Sequence, residues 1–278
     1  MPELPEVEVL RRDLDKDVVG RKIKSVEVVT MRSVRRHTKR KQFTEPLEGA
    51  KIKSVERRGK YLVLALDNEQ SLVIHLGMSG QLLRAKSAKV AKPKHTHVII
   101  GFTQGGQLRF VDPRTFGEMF VTKSDVIADE LPELGHLGFD PLDAGISVDR
   151  FAALLRQRSM KLKSLLMDQK FIAGIGNIYS DEILFQAGLR FDRLSDSLSP
   201  QEVRRLFRAV IEVLQDAVKY RGSTLADEGF VDLQGNPGEY QDHHQVYGRE
   251  GEPCPRTKKP IMRQRYGNRS TYYSVSQV

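Results

Sequence analysis

Residues 1–8 read MPELPEVE. A proline at position 2 is a context in which an initiator methionine is trimmed, and trimming would leave Pro2 with a free secondary amine. An α-amino group near pKa ~8 attacks a carbonyl-like carbon at neutral pH far more readily than a lysine near ~10. Glu3 and Glu6 supply two nearby carboxylates, and a nucleophilic amine with an adjacent acid or base is what covalent catalysis needs. The same residues also suit an ordinary helix start, with Pro5 at the first helical position and acids in the first turn. On these eight residues alone both readings stand. Either way a helix is predicted over 5–19, because Val7, Leu10, Leu14 and Val18 recur at helical spacing and Gly20 ends it.

Strand patterns follow at 22–29, 50–58, 61–67, 71–77, 97–102 and 107–112, separated by turn signals that include Asp67-Asn68 and Gly105-Gly106. Several short strands after one helix predict a β-sandwich or barrel. MRSVRRHTKRK at 31–41 is a basic loop without periodicity, either a solvated charge run or a contact for phosphates. Residues 131–148 carry prolines and glycines and read as a linker between a domain at 1–130 and a second at 149–240. In the second, helices are expected at 148–157, 161–169, 171–188 and 199–222, the last with Ser199 as cap, Glu202 three residues on and Gly222 at its end. Residues 241–278 form the terminal segment. The whole is an α+β chain.

Composition narrows the function. With 278 residues, 39% hydrophobic and 29% charged, the chain has room for two ordinary domains. No run approaches the ~20 apolar residues of a membrane span, and no signal-peptide core is evident. A single cysteine rules out an intrachain disulfide and fits a reducing compartment. The formal net charge of +9 points to a polyanion, nucleic acid before membrane.

MPELPEVE resembles the N-terminus of the formamidopyrimidine-DNA glycosylase/endonuclease VIII family, and RRGKYL (57–62), HLGMSG (75–80), DPRTFG (112–117), GIGNIYSDE (174–182), VYGREGEPC (246–254) and NRSTYY (268–273) extend the match in the right order. The resemblance implies an N-terminal β-sandwich flanked by helices, then a helix–two-turns–helix domain and a β-hairpin finger. It implies a bifunctional glycosylase/AP lyase of base excision repair with no cofactor, acting on damaged double-stranded DNA as a monomer. That enzyme would be cytoplasmic and nucleoid-associated in a bacterium, or nuclear in a eukaryote. Pro2 would be the nucleophile, Glu3 the general acid/base, and Glu6 an orienting or relaying group. Lys60 and Arg269 would grip the reacting nucleotide and its phosphates. An enzyme acting on the glycosidic carbon must extrude the nucleotide, at a few kcal/mol. Met78, Arg114 and Phe116 would fill the gap, with Arg114 facing the orphaned base. His75, Lys163 and Asn177 would contact DNA near the lesion, and Glu182 would order the site. Residues 222–241 would fold over an oxidised guanine.

The C-terminus departs from the family. A structural zinc wants four thiolate or imidazole ligands, commonly two CxxC pairs. Here Cys254 is followed by Thr257, and Ser274 and Gln277 stand where the second pair would be. No metal is expected. Packing of Ile261, Tyr266, Tyr272 and Tyr273 would hold a zincless finger instead. Three alternatives remain: an endonuclease VIII-like specificity for oxidised pyrimidines, a non-catalytic damage-binding protein, and a general RNA-binding protein.

Overall fold

The computed structural model describes residues 1–143, 145–226 and 229–278. They form two compact units: Met1–Gly135 with Tyr220–Glu239, and His136–Lys219 with Tyr240–Val278. Residues 220–239 therefore group with the first unit, whereas the sequence pattern places them in the helical domain.

The first unit opens with α1 (Leu4–Val18), followed by β1 (Ile23–Val28), α2 (Arg40–Thr44), β2 (Ile52–Arg58), β3 (Tyr61–Leu66), β4 (Gln70–His75), β5 (Gln81–Ala85), β6 (Thr96–Phe102), β7 (Gln107–Val111) and β8 (Glu118–Lys123). Two short helices, α3 (Ile127–Glu130) and α4 (Pro132–Gly135), close it within the segment read as linker. The strands form two four-stranded sheets, ordered β1-β6-β7-β5 and β2-β3-β4-β8. Each neighbouring pair is antiparallel. One apolar cluster joins both sheets to Val7, Leu10, Leu14 and Val18 of α1, and Phe230 and Leu233 of the 220–239 segment complete it. At about 25 cal/mol per Å² of apolar surface, each such fully buried side chain contributes about 1.5–3 kcal/mol. Leu233 explains the regrouping, since it is 0% exposed and its carbonyl accepts the Arg84 N–H at 2.8 Å.

The second unit holds α5 (Val148–Arg156), α6 (Leu162–Met167), α7 (Asn177–Ala187) and α8 (Pro200–Lys219), then the hairpin β9 (Met262–Tyr266) and β10 (Arg269–Tyr273). The start of α8 is the expected reciprocal cap: Ser199 N–H donates to Glu202 Oε2 at 2.8 Å, and Glu202 N–H to Ser199 Oγ at 3.3 Å. α7 opens at Asn177, directly after the glycine turn in which Gly174 has φ +91°.

Candidate active site and nucleic-acid interface

In the first unit the acidic turn is buried. Pro2 is buried, and Glu3 and Glu6 are 2% and 1% exposed. The Glu3 N–H donates to Glu6 Oε2 at 2.8 Å, while Glu6 Oε1 accepts the Ser223 N–H at 2.7 Å. Glu6 thus fastens the chain start to the 220–239 segment. A Cβ on Gly222 would lie 2.7 Å from Glu6 Oε1, and this residue has φ +78°, so glycine is what permits the approach. Asp227 and Glu228, in the stretch expected to fold over a base, lie outside the described residues.

Lys60 is the second residue of a two-residue turn between Arg58 and Tyr61, and Gly59 before it has φ +58°. Arg57, nearly buried, donates to Glu8 Oε2 at 3.0 Å and to the Gly59 carbonyl at 3.3 Å. Burial pushes the Glu8 carboxyl up, but Arg11, Arg12 and Arg57 hold it below the usual range. Glu8 therefore ties α1 to the turn that presents Lys60.

The sheet register brings the remaining parts together. Across β3, β4 and β8, Tyr61 faces His75 and His75 faces Glu118. The loop after β4, which holds Met78, must therefore meet the loop before β8, which holds Arg114 and Phe116. They dock backbone to backbone: a Cβ on Gly77 would lie 2.5 Å from Gly117 N. Buried Asp112 organises both loops. Its Oδ1 accepts from Ser79 Oγ at 2.6 Å and from the Arg114 N–H at 3.2 Å, and its Oδ2 accepts from the Gly117 N–H at 2.7 Å. Phe116 stays 46% exposed, a large apolar ring held at the surface, with the Arg114 guanidinium 5.3 Å from its centroid. Met78 is half-buried. Burial pushes His75 down to about 4, reinforced by Lys60, Arg35 and Arg36 and opposed by Glu118. The imidazole is therefore uncharged at pH 7.

In the second unit Asn177 is the first residue of α7, and its Nδ2 lies 3.4 Å from Tyr247 Oη. The turns before it are held by Gln169, which accepts the Gly174 N–H and donates to the Ile175 carbonyl. Lys163, expected near DNA, and Glu182, expected to order the site, are both buried. Lys163 is 0% exposed, with its ammonium 2.5 Å from Asp181 Oδ1. Glu182 is 1% exposed and accepts the N–H groups of Gln245, Val246 and Tyr247 at 2.8–3.0 Å. Lys163 therefore pairs inside the fold, and Glu182 orders the backbone that leads into the finger. Asp181 also accepts from Thr271 Oγ1 at 2.6 Å and from the Tyr272 N–H at 2.9 Å. Adjacent acids of α7 therefore hold both the entry to the finger and its second strand.

Arg269 is exposed, at the first position of β10 just past the Gly267-Asn268 turn. Glu250, Arg263, Arg265, Asn268 and Ser270 line an open groove of about 450 Å³ with it. Sequence reasoning passed over Arg263 and Arg265, although their spacing of two in MRQRY is that of one strand face. It also passed over Asp112, whose role depends partly on remote Ser79, and Asp181, whose partners Lys163, Thr271 and Tyr272 are all remote in sequence.

The finger carries no zinc-like donor set. Ser274 Oγ donates to Cys254 Sγ at 3.0 Å, while the Gln277 side chain accepts the Ser274 N–H at 2.7 Å and donates to the Leu189 carbonyl at 2.8 Å. Cys254 packs with Phe185, Val246, Ile261 and Tyr272. Tyr266 and Tyr273 close on Phe191, and Tyr266 Oη meets Ser164 Oγ at 2.6 Å. Among the described residues no group of three His, Cys, Asp or Glu is placed to hold a metal. The residues present do not fit a zinc ion. Prolonged chelation should accordingly leave the melting temperature and DNA affinity unchanged, and Cys254→Ala should cost only about 1–2 kcal/mol. A collapse of the finger on chelation, followed by limited proteolysis, would overturn this.

Both units have counterparts among known proteins: a buried acidic N-terminal turn on a β-sandwich, and a glycine-turn helix pair carrying a hairpin, are the parts of a DNA-repair glycosylase. Residues 1–119 match the formamidopyrimidine-DNA glycosylase N-terminal domain, and residues 137–228 the formamidopyrimidine-DNA glycosylase H2TH domain. The formamidopyrimidine-DNA glycosylase of Pelotomaculum thermopropionicum is 42% identical over 273 residues, covering 98% of this chain and 97% of the relative. The crystal structure of the MutM (Fpg) protein from Thermus thermophilus superimposes with TM-score 0.86 at 39% identity, covering 98% of this chain and 97% of that one. The Lactococcus lactis Fpg in complex with abasic-site DNA gives TM-score 0.89 at 33% identity, covering 99% of each chain. The chain belongs to the formamidopyrimidine-DNA glycosylase family.

Proposed function

We propose that the protein is a bifunctional DNA glycosylase/AP lyase of base excision repair that removes oxidised purines, 8-oxoguanine and formamidopyrimidines, from duplex DNA. The observation that carries this reading is the buried Pro2–Glu3–Glu6 turn, fixed through Glu6 to Ser223. The Lactococcus lactis relatives solved with Fapy-dG and abasic-site DNA support the substrate class.

With Met1 removed, the Pro2 nitrogen attacks C1′ of the extruded nucleotide and the C1′–N bond to the base breaks. Glu3 donates a proton to the sugar ring oxygen, and the ring opens to an iminium between Pro2 and C1′. That cation draws electrons from C2′, so a proton leaves C2′ and the 3′ C–O bond breaks; a second elimination breaks the 5′ bond. Addition of water to C1′ of the iminium then returns Pro2 as a free amine and leaves the sugar remnant as an aldehyde. Glu6, already engaged with two backbone N–H groups, orients the turn. Lys60, Asn177 and Arg269 hold phosphates, His75 adds a neutral hydrogen bond, and Met78, Arg114 and Phe116 occupy the vacated stack. The enzyme works as a monomer, in the cytoplasm on the nucleoid if the source is bacterial and in the nucleus if it is eukaryotic.

Borohydride trapping tests the reading, using one duplex with 8-oxoguanine opposite cytosine and one with an abasic site. Covalent capture on both is expected. Capture on the abasic duplex alone would move the specificity to other lesions, such as oxidised pyrimidines. Capture on neither, with Met1 confirmed absent by mass, would sink the catalytic reading.

A further inference from the structure

Phe116 is held at the surface by three consecutive carbonyls that other residues occupy. Arg32 Nε donates to the Thr115 carbonyl at 3.4 Å. Arg35 donates to the Phe116 carbonyl at 3.3 Å and to the Gly117 carbonyl at 2.9 Å. The same Arg35 guanidinium pairs with Glu118 Oε2 at 3.1 Å, and Glu118, 8% exposed at its side chain, is also gripped by Arg36 at 3.0 Å. Thr115 sits at φ +57°, a conformation a β-branched residue rarely adopts without outside support. The basic run 31–36, which its charge alone marks as a phosphate contact, spends these three arginines on protein groups.

Resting on the glycosylase reading above, we propose that Arg35 is a positioning residue for the Phe116 wedge. Its planar fork pins the Thr115–Gly117 backbone so that the ring is already aimed when the duplex arrives. A ring that must order itself on insertion loses conformational freedom at that moment, whereas a pinned one has lost it on folding. The fork is essential, because two divergent carbonyls and a carboxylate are met at once by a guanidinium and not by an ammonium.

The test compares Arg35→Ala, Arg35→Lys, Phe116→Ala and the Arg35→Ala/Phe116→Ala double variant. Wedge insertion is read by the fluorescence of 2-aminopurine beside a tetrahydrofuran abasic analogue in a duplex, which involves no chemistry. Strand cleavage of a single-stranded abasic oligonucleotide, which has no stack to invade, is the control. Arg35→Ala and Arg35→Lys should both slow insertion by about 10–100-fold, the scale of a misplaced positioning group. Single-strand cleavage should stay within about twofold. The double variant should be no slower than Phe116→Ala, since the brace has nothing left to aim. Rescue by lysine would assign Arg35 to phosphate binding and overturn the proposal. So would additive losses in the cycle, or an equal loss on the single strand. A wild-type protein that inserts its wedge but excises no base would refute the glycosylase reading and leave this one standing.

Discussion

Pro2→Gly is expected to yield a folded protein that binds an abasic-analogue duplex normally and excises nothing. The residues assigned to phosphate, Lys60, Asn177 and Arg269, lie elsewhere in the chain, so affinity should hold. Glycine keeps an α-amine once Met1 is gone, so basicity is not what the variant lacks. What it loses is the ring. A secondary amine condenses with C1′ to an iminium that carries its charge permanently, whereas a primary amine gives an imine that must first be protonated to act as an electron sink. The ring also stops rotation about the N–Cα bond at the buried entry to the turn, and a glycine amine there is free to rotate away from the attack direction. Removing a nucleophile that acts in concert with its acid typically costs three or more powers of ten in rate. Base excision should fall by about that much, and borohydride capture on the 8-oxoguanine duplex should vanish. Stability should stay within about 1 kcal/mol, because the helix after Pro2 keeps its Glu3–Glu6 bond. Undiminished capture by the glycine variant would show that the ring is not needed, and peptide mapping of the captured protein would then decide between the residue-2 amine and a lysine.

What the sequence revealed, and what it hid, follows the range of the interactions. Val7, Leu10, Leu14 and Val18 announced α1 because a helix face is a local period, and all four are buried. Six strands were legible from alternation and turn residues, and both four-stranded sheets contain some of them. Two strands were not. β8 reads EMFVTK and is buried at five consecutive positions, so it lacks the alternation that marks a half-exposed strand. β5 is five residues hidden behind the glycines of HLGMSG. The regrouping of 220–239 was equally invisible, since a polar, glycine-rich stretch gives no sign that Leu233 will reach a core more than 100 residues upstream. Among candidate site residues, motif matching does not tell an inward-facing charge from an outward-facing one. A lysine or glutamate read from sequence is assumed to face solvent or ligand, yet Lys163 and Glu182 face inward. Only the fold shows that α7 brings Asp181 within reach of one and the finger backbone within reach of the other.

That inward arrangement yields the second large effect. Asp181→Ala should loosen the finger, with an apparent local loss of about 3–5 kcal/mol, because it strands the buried Lys163 ammonium and releases Thr271 and Tyr272 of β10 at the same time. Lys163→Met should cost less. Burial already pushes the Asp181 carboxyl up, opposed by the Lys163 ammonium. Without that ammonium the carboxyl can take a proton and remain as a neutral partner for β10. The sign of the pH dependence follows. A carboxyl whose folded-state pKa lies above its unfolded value loses its stabilising contribution as pH rises from the unfolded pKa through the folded one, so the Lys163→Met deficit should shrink as pH falls. The Asp181→Ala deficit should not shrink in this way, since no carboxyl remains to be neutralised. Unfolding in two units is not a single transition, so a global melt is a poor readout. Tryptic cleavage within the hairpin is a better one, because exposed Arg263 and Arg265 lie on β9 and cleavage tracks local opening. Asp181→Ala should raise that rate by about a hundredfold or more, and DNA affinity should fall with it because Arg269 loses its platform. A hairpin as resistant as wild type in Asp181→Ala would mean that the Cys254, Ile261 and Tyr272 cluster alone holds the finger.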